Sequence, residues 1–189
     1  SPQAIQGMQD YVDLFKNGYA PPTAPMDGFQ EIIANFKSGK TAMTVHHIGS
    51  SAGMIETFGD DVDAFPFPGG VGKWTSMGDT ENVMLKSAKN KDAAFEWLAY
   101  LATGKGQETW CTVTGNVPVS KTVKELPFFQ SNRFMKVSIE GAPWAGILPI
   151  LDTTTEWINN IWPNTVSAAL LGKISAAEAM KKLQAGLWD

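Results

Sequence analysis

One run, from Phe36 to Gly53 (FKSGKTAMTVHHIGSSAG), constrains this chain more than any other. Phe36 closes an apolar stripe begun at Phe29, Ile32 and Ile33, spaced for one face of a helix. Gly39 sits where a helix C-terminus takes a left-handed residue. Thr41 to Val45 is short, apolar and partly β-branched, the pattern of a buried strand. His46, His47, Ser50 and Ser51 follow at the end of that strand, where open α/β sheets place their ligands. Helix, strand and polar loop in direct succession predict an α/β fold with a candidate binding loop.

Such a fold needs a core, and the composition supplies one. The 189 residues are 43% hydrophobic and 18% charged, within the globular range and enough for one ordinary domain or two small ones. A net charge of −4 with no basic stripe argues against nucleic acid as partner, and equally against an anionic membrane surface. No apolar run approaches the roughly 18 residues of a membrane-spanning helix. Cys111 is the single cysteine, which excludes an intramolecular disulfide and a multi-cysteine metal cluster. Between Trp110 and Thr112 it reads as a small buried hydrophobe, and it leaves the compartment open. A signal peptide is not expected among these residues. Ser1 suits a helix cap and Pro2 the first helical position, an opening expected of a piece cut from something longer.

Helical spacing recurs along the chain. Ile5, Met8, Val12 and Phe15 form a first stripe, with Tyr11 and Leu14 widening it and Gly18 as its stop. After the Phe36 region a polar stretch leads to Phe65-Pro66-Phe67-Pro68-Gly69-Gly70, an extended segment ending in a turn. Gly78 to Leu85 (GDTENVML) reads as a strand, and Asn90 or Asp92 caps a helix carrying Ala94, Phe95, Leu98 and Leu101. A further helix starts near Gly106, carries Trp110 and Val113, and breaks at Gly115-Asn116-Val117-Pro118. Trp97 and Trp110 are expected in a core. In the last third, Thr153 with Glu156 and Ser175 with Glu178 are capping-box candidates. Trp157, Ile158, Ile161, Trp162, Val166 and Ala169 form an apolar face. Pro163 inside it predicts a kink or the helix's true start.

The phrase F-x-x-G-K-x-A-M followed by a loop resembles the solute-binding proteins of ABC importers, specifically the sugar-binding group that includes maltose-binding protein. The F-P-x-P-x-G element, the VMLKSAKNKDAAFEWL segment with its Gly115 to Pro118 loop, and the ending GKISAAEAM resemble the same group, in the same order. The resemblance covers nearly the whole chain but only the C-terminal half of such a protein. It implies a partial, helix-rich periplasmic-binding-protein type II fold with segments of both lobes. Residues 1–77 would be a C-terminal-lobe segment, 78–148 a crossover strand with a helical N-terminal-lobe segment, and 149–189 returning C-terminal-lobe helices. It further implies exposed apolar faces and an unpaired sheet edge, and so a self-associated or strand-exchanged assembly or a fragment marginally folded alone. The implied function is binding of a sugar or oligosaccharide between two lobes, hinged near Met77 to Thr80 and Pro143 to Pro149. The closed form would be presented to the membrane permease of an importer. The implied location is extracytoplasmic, in the periplasm or lipoprotein-anchored at the cell surface, with no cofactor and no metal.

A sugar presents apolar C–H faces that stack on aromatic rings and hydroxyls that seek planar polar groups. The candidate ligand residues follow from that chemistry and the resemblance: His46, His47, Trp74, Gly78, Asp79, Trp157 and Asn159. For Trp157 the resemblance implies an aromatic platform at a helix start, against a core role. Trp74 and Trp144 lie near the implied crossovers, and Trp144 also suits hinge packing. Gly78 would let backbone approach the ligand, with Asp79 accepting from its hydroxyls or standing in an exposed turn. As metal ligands His46 and His47 fail, because adjacent side chains on a strand point to opposite faces and no further histidine or strong carboxylate cluster completes a site. As catalytic bases they lack a nucleophile in a strand-turn-helix elbow. They fit sugar hydrogen bonding, with a solvated loop as the other reading. The family often has an aromatic residue in this loop, where this chain has His46-His47-Ile48-Gly49. Asp60-Asp61-Val62-Asp63 lacks the glycine and distal glutamate of a calcium loop and reads as an acidic turn. The rivals are a binding protein for a polyol, glycerol phosphate or polyamine, a hydrolase using Asp79 or His46, and an interaction module.

Overall fold

The computed structural model describes residues 1–67, 69, 72–78 and 81–188. In chain order its helices are α1 (Pro2–Lys16), α2 (Phe29–Lys37), α3 (Ser51–Phe58), α4 (Lys91–Ala102), α5 (Gly104–Thr114), α6 (Lys121–Lys124), α7 (Pro127–Ser131), α8 (Arg133–Gly141), α9 (Thr154–Glu156), α10 (Trp162–Leu170) and α11 (Ala176–Trp188). Two strands, β1 (Thr75–Ser76) and β2 (Ala145–Gly146), pair in parallel. The chain divides into two compact units, Ser1–Thr44 with Leu148–Asp189, and Val45–Ile147.

The first unit is built on α1, α10 and α11. Ser1 caps α1 by accepting from the Ala4 N–H at 3.3 Å, and Pro2 follows where its missing N–H costs nothing. The apolar stripe of α1 delivers Met8 and Val12 into a core with Trp157, Val166, Ala169, Leu170, Ala179, Leu183 and Leu187. Ala179 is fully buried, a small side chain where helices approach closely. The box at Ser175 forms in full. Ser175 Oγ accepts from the Glu178 N–H at 3.2 Å, while the Ser175 N–H and Oγ both donate to Glu178 Oε2 at 2.8 Å.

The box expected at Thr153 and Glu156 does not form. Thr153 Oγ1 donates instead to the Leu187 carbonyl of α11 at 2.6 Å, and Glu156 accepts from Asn160 at 2.8 Å. A tertiary acceptor has outcompeted the local one. The Pro163 expectation resolves as a change of winding: residues Trp157–Ile161 form a π-helix joining α9 to α10 without a break. Pro163 has no N–H to give to the carbonyl four residues back, and its ring would crowd that carbonyl. The wider π turn relieves the clash.

The second unit holds α3 to α8 and the strand pair. Its core gathers Cys111, Val123, Phe129 and Met135, with Leu126 packed against them. Burial pushes the Cys111 thiol pKa up, as for the inert hydrophobe expected of it. Gln107 is buried between two backbone groups, donating to the Ala102 carbonyl at 3.0 Å and accepting from the Ser120 N–H at 2.7 Å. The expected stop of α5 is confirmed: Gly115 adopts φ +73°, and its N–H bonds the Cys111 carbonyl.

Three expectations fail here. Thr41 to Val45 is not a strand, and Met43 and Val45 are exposed. Residues 81–85 are not a strand either, and Val83 and Leu85 are exposed. A strand exists only by pairing, and among the described residues the sole sheet is the two-residue pair β1–β2. Trp97 and Trp110 are on the surface, 59% and 41% exposed, because α4 has no buried residue and α5 turns Gly106, Gln107 and Cys111 inward. Among the described residues the α/β character is thus confined to one short parallel pair in a helix-rich chain.

Candidate functional site

The richest polar cluster lies on the loop that leads into α3. Residues Ile48–Ser50 form a tight 3₁₀ turn that doubles the chain back, so Ser50 comes under the two preceding imidazoles. Ser50 Oγ lies 2.7 Å from His46 Nδ1 and 3.4 Å from His47 Nε2. The two rings stand 4.8 Å apart at 43°. The expected alternation of His46 and His47 to opposite faces therefore does not occur, because it required a strand that is not there. His46 also has a hydroxyl partner in Ser50.

A second loop closes on the first. A Cβ on Gly115 would lie 3.4 Å from Ser51 Oγ, and one on Gly49 would lie 3.2 Å from Asn116 Oδ1 and 2.9 Å from His47 Cε1. Two glycines thus let the 46–51 and 114–116 loops approach with no side chain between them. Asn116 donates through Nδ2 to Thr114 Oγ1 at 3.0 Å, which fixes the amide plane. The result is two imidazoles, a hydroxyl and an amide held together, each with donor or acceptor capacity suited to a polyhydroxyl solute. Asn116 was read in the sequence only as a helix breaker. Its place became visible only when both loops were folded.

Trp74 stands beside the strand pair of the same unit and is 58% exposed. Its indole edge lies over Gly146, where an added Cβ would come 2.6 Å from Nε1. Lys73 Nζ sits 4.1 Å above the Trp144 ring, a cation–π contact, so one face of the half-buried Trp144 is capped. The Met77 N–H extends the parallel ladder to the Gly146 carbonyl at 2.9 Å. Gly78 is exposed, and a Cβ there would meet nothing within 4 Å. Asp79 lies outside the described residues.

Trp157 and Asn159 belong to the first unit. Trp157 fills the core role rather than the platform role: it is 9% exposed, and its indole N–H donates to the Leu183 carbonyl at 2.7 Å. The π-helix that carries it turns Asn159 to solvent. Neither is in the unit that holds the His46–Ser50 loop.

No cluster of three or more metal-ligating side chains occurs among the described residues, and no described helix is long and apolar enough to cross a membrane. The acidic turn at Asp60 to Asp63 is engaged by Arg133, which bonds Asp60 Oδ1 at 3.1 Å.

Comparison with known proteins gives a family and a fold. Residues 1–136 match the model of the bacterial extracellular solute-binding proteins. Among solved structures, the chain is similar to the maltose-maltodextrin binding protein of the thermoacidophilic bacterium Alicyclobacillus acidocaldarius, with a TM-score of 0.80 at 17% identity. The likeness covers 100% of this chain and 51% of that one, so the chain spans about half the length of its structural neighbour. No curated protein matches the sequence significantly. The fold is therefore a partial, helix-rich periplasmic-binding-protein fold, and the chain belongs to the bacterial extracellular solute-binding proteins, which makes it extracytoplasmic.

Proposed function

We propose that this chain is roughly the C-terminal half of the solute-binding component of an ABC importer, and that the solute is a sugar or oligosaccharide. The observation that carries the reading is the convergence of His46, His47 and Ser50, with Asn116 against them, in a chain folded like a maltodextrin-binding protein. Hydroxyl-rich ligands are recognised by such fixed, planar, bifunctional groups, which donate and accept at short range. The exposed indole of Trp74 supplies an apolar face for stacking, and Gly78 with Asp79 is retained as the neighbouring candidate. The role is non-catalytic, and docking to permease subunits follows from the same reading.

Glycerol phosphate is the weaker alternative. Arg133 is the sole arginine, and its guanidinium is directed to Gly59, Asp60, Val62 and Asp63 rather than to the histidine loop. Polyols keep the chemistry of the sugar reading and differ only in lacking a ring to stack.

The test is a thermal-shift and calorimetric panel of maltose, maltotriose, glycerol, glycerol phosphate and putrescine. A rise in melting temperature with a sugar, lost in His46→Ala and weakened in Trp74→Ala, is the expected result. A response to putrescine or glycerol phosphate alone, with sugars inert, would overturn the sugar assignment.

A further inference from the structure

Arg133 opens α8, and its guanidinium is committed to one turn of chain more than seventy residues earlier. Nη2 donates to the carbonyls of Gly59 at 2.6 Å and Val62 at 2.7 Å. Nη1 donates to Asp60 Oδ1 at 3.1 Å, and the buried Nε lies 3.6 Å from Asp63 Oδ1. These acceptors form the turn that ends α3, where the Gly59 N–H still bonds the Ile55 carbonyl. A planar fork is suited to such a site, since it reaches two oxygens at once, and a cation at a helix C-terminus meets the negative end of its dipole.

The other end of α3 is the candidate site. Ser51 begins the helix directly after the His46–Ser50 loop, and α8 also packs against the Ile48–Ser50 turn. A helix of this length is a rod of about 12 Å. One element, α8, therefore seats both ends of the rod: its N-terminal arginine grips the far end, and its body supports the near end. Hydrogen-bonding constellations need placement within about 0.5 Å, which an untethered short helix does not provide.

We infer that Arg133 is a positioning residue for the binding loop: by clamping the Gly59–Val62 turn it fixes the seat of α3, and through it the placement of His46, His47 and Ser50. Arg133 acts through α3 and touches no solute. The inference rests on reading that loop as binding surface, but the order of the loop is measurable without a solute, so the two fail separately.

The experiment compares Arg133→Met, which removes both charge and fork, with Arg133→Lys, which keeps only the charge. Leu183→Ala, in the separate core of the first unit, is the control for general destabilisation. Imidazole signals of His46 and His47 are followed by NMR at fixed pH, with melting temperature measured alongside. The arginine variants are expected to shift or broaden both imidazole signals, while Leu183→Ala leaves them in place despite its loss of melting temperature. With a sugar that binds the unaltered chain, Arg133→Met should weaken affinity roughly threefold to tenfold, and Leu183→Ala should not. Arginine variants that lower the melting temperature yet keep the original imidazole signals and affinity would overturn the inference and leave a plain structural clamp. If no sugar binds the unaltered chain, the functional reading falls and the imidazole signals still decide the clamp. If Arg133→Met does not fold, Arg133→Lys carries the same comparison.

Discussion

The α1–α10–α11 core of the first unit and the α4 surface of the second are built from the same sequence pattern and end up in opposite environments. Both helices α1 and α4 carry apolar residues at helical spacing. In the first unit the stripe finds α10 and α11, and Met8 and Val12 are 6% and 3% exposed. In the second, α4 buries no residue, with Phe95 and Trp97 65% and 59% exposed. The neighbouring Val83 and Leu85 share that exposure, and together with Met84, Ala94, Trp97 and Leu98 they line an open apolar recess of about 270 Å³. An amphipathic stripe specifies that a face seeks cover; it does not specify where the cover comes from. The partners of α1 lie within these 189 residues, while the chain spans 51% of its structural neighbour.

The comparison breaks first if the covered core is not what holds the first unit together. Leu183→Ala should cost about 2–5 kcal/mol, because Leu183 is 2% exposed and its loss leaves a cavity beneath Trp157. Chemical denaturation measures it, and a cost near zero would mean that the α1–α10–α11 contacts are loose. A smaller effect is expected from the cap of α11. Ser175, through its backbone N–H and then its hydroxyl, holds the Glu178 carboxyl below its ordinary pKa, with Lys182 adding to this. A depressed carboxylate pKa contributes stability that is present above the unfolded value and lost as pH falls through the folded one. The unaltered chain should therefore lose melting temperature through the acid range more steeply than Glu178→Gln, and parallel pH profiles would refute the role of the cap. The smallest effect belongs to the uncovered face. Trp97→Gln should change monomer stability by no more than about 0.5 kcal/mol while reducing self-association seen by light scattering. A large stability loss would show that Trp97 is covered after all.

Part of the helical skeleton was legible in the sequence because caps and stops are local. Ser1 with Pro2, Ser175 with Glu178, and the breaks at Gly18, Gly39 and Gly115 each depend on a few adjacent residues, and all of these glycines take positive φ. Cys111 was legible as a buried thiol for a similar reason, since its small apolar side chain suits any core. The strands were not legible. Thr41 to Val45 has the composition of a buried strand, yet a strand takes its hydrogen bonds from a distant segment, and composition says nothing about whether that segment is present. The Thr153 box failed in the same way, when Leu187, thirty-four positions on, became the better acceptor.

The candidate site divides along the same line. That His46, His47, Ser50 and Ser51 form a polar loop after an apolar run could be read directly. That Ser50 turns back to meet both imidazoles depended on a 3₁₀ turn, and that Asn116 joins them depended on a loop some seventy residues away. Trp157 carried two readings in the sequence, and only the position of the Leu183 carbonyl chose between them. By itself, then, the sequence determined the helices that carry an apolar stripe with a local cap or stop, the regions of α1, α2, α4, α5, α10 and α11, and which residue types are offered for binding, because backbone capping and glycine stereochemistry act over a few bonds. Helices α3 and α6 to α8 were not read from it. Tertiary structure alone decided which apolar faces are covered and which polar groups converge, because both depend on contacts between segments far apart in the chain.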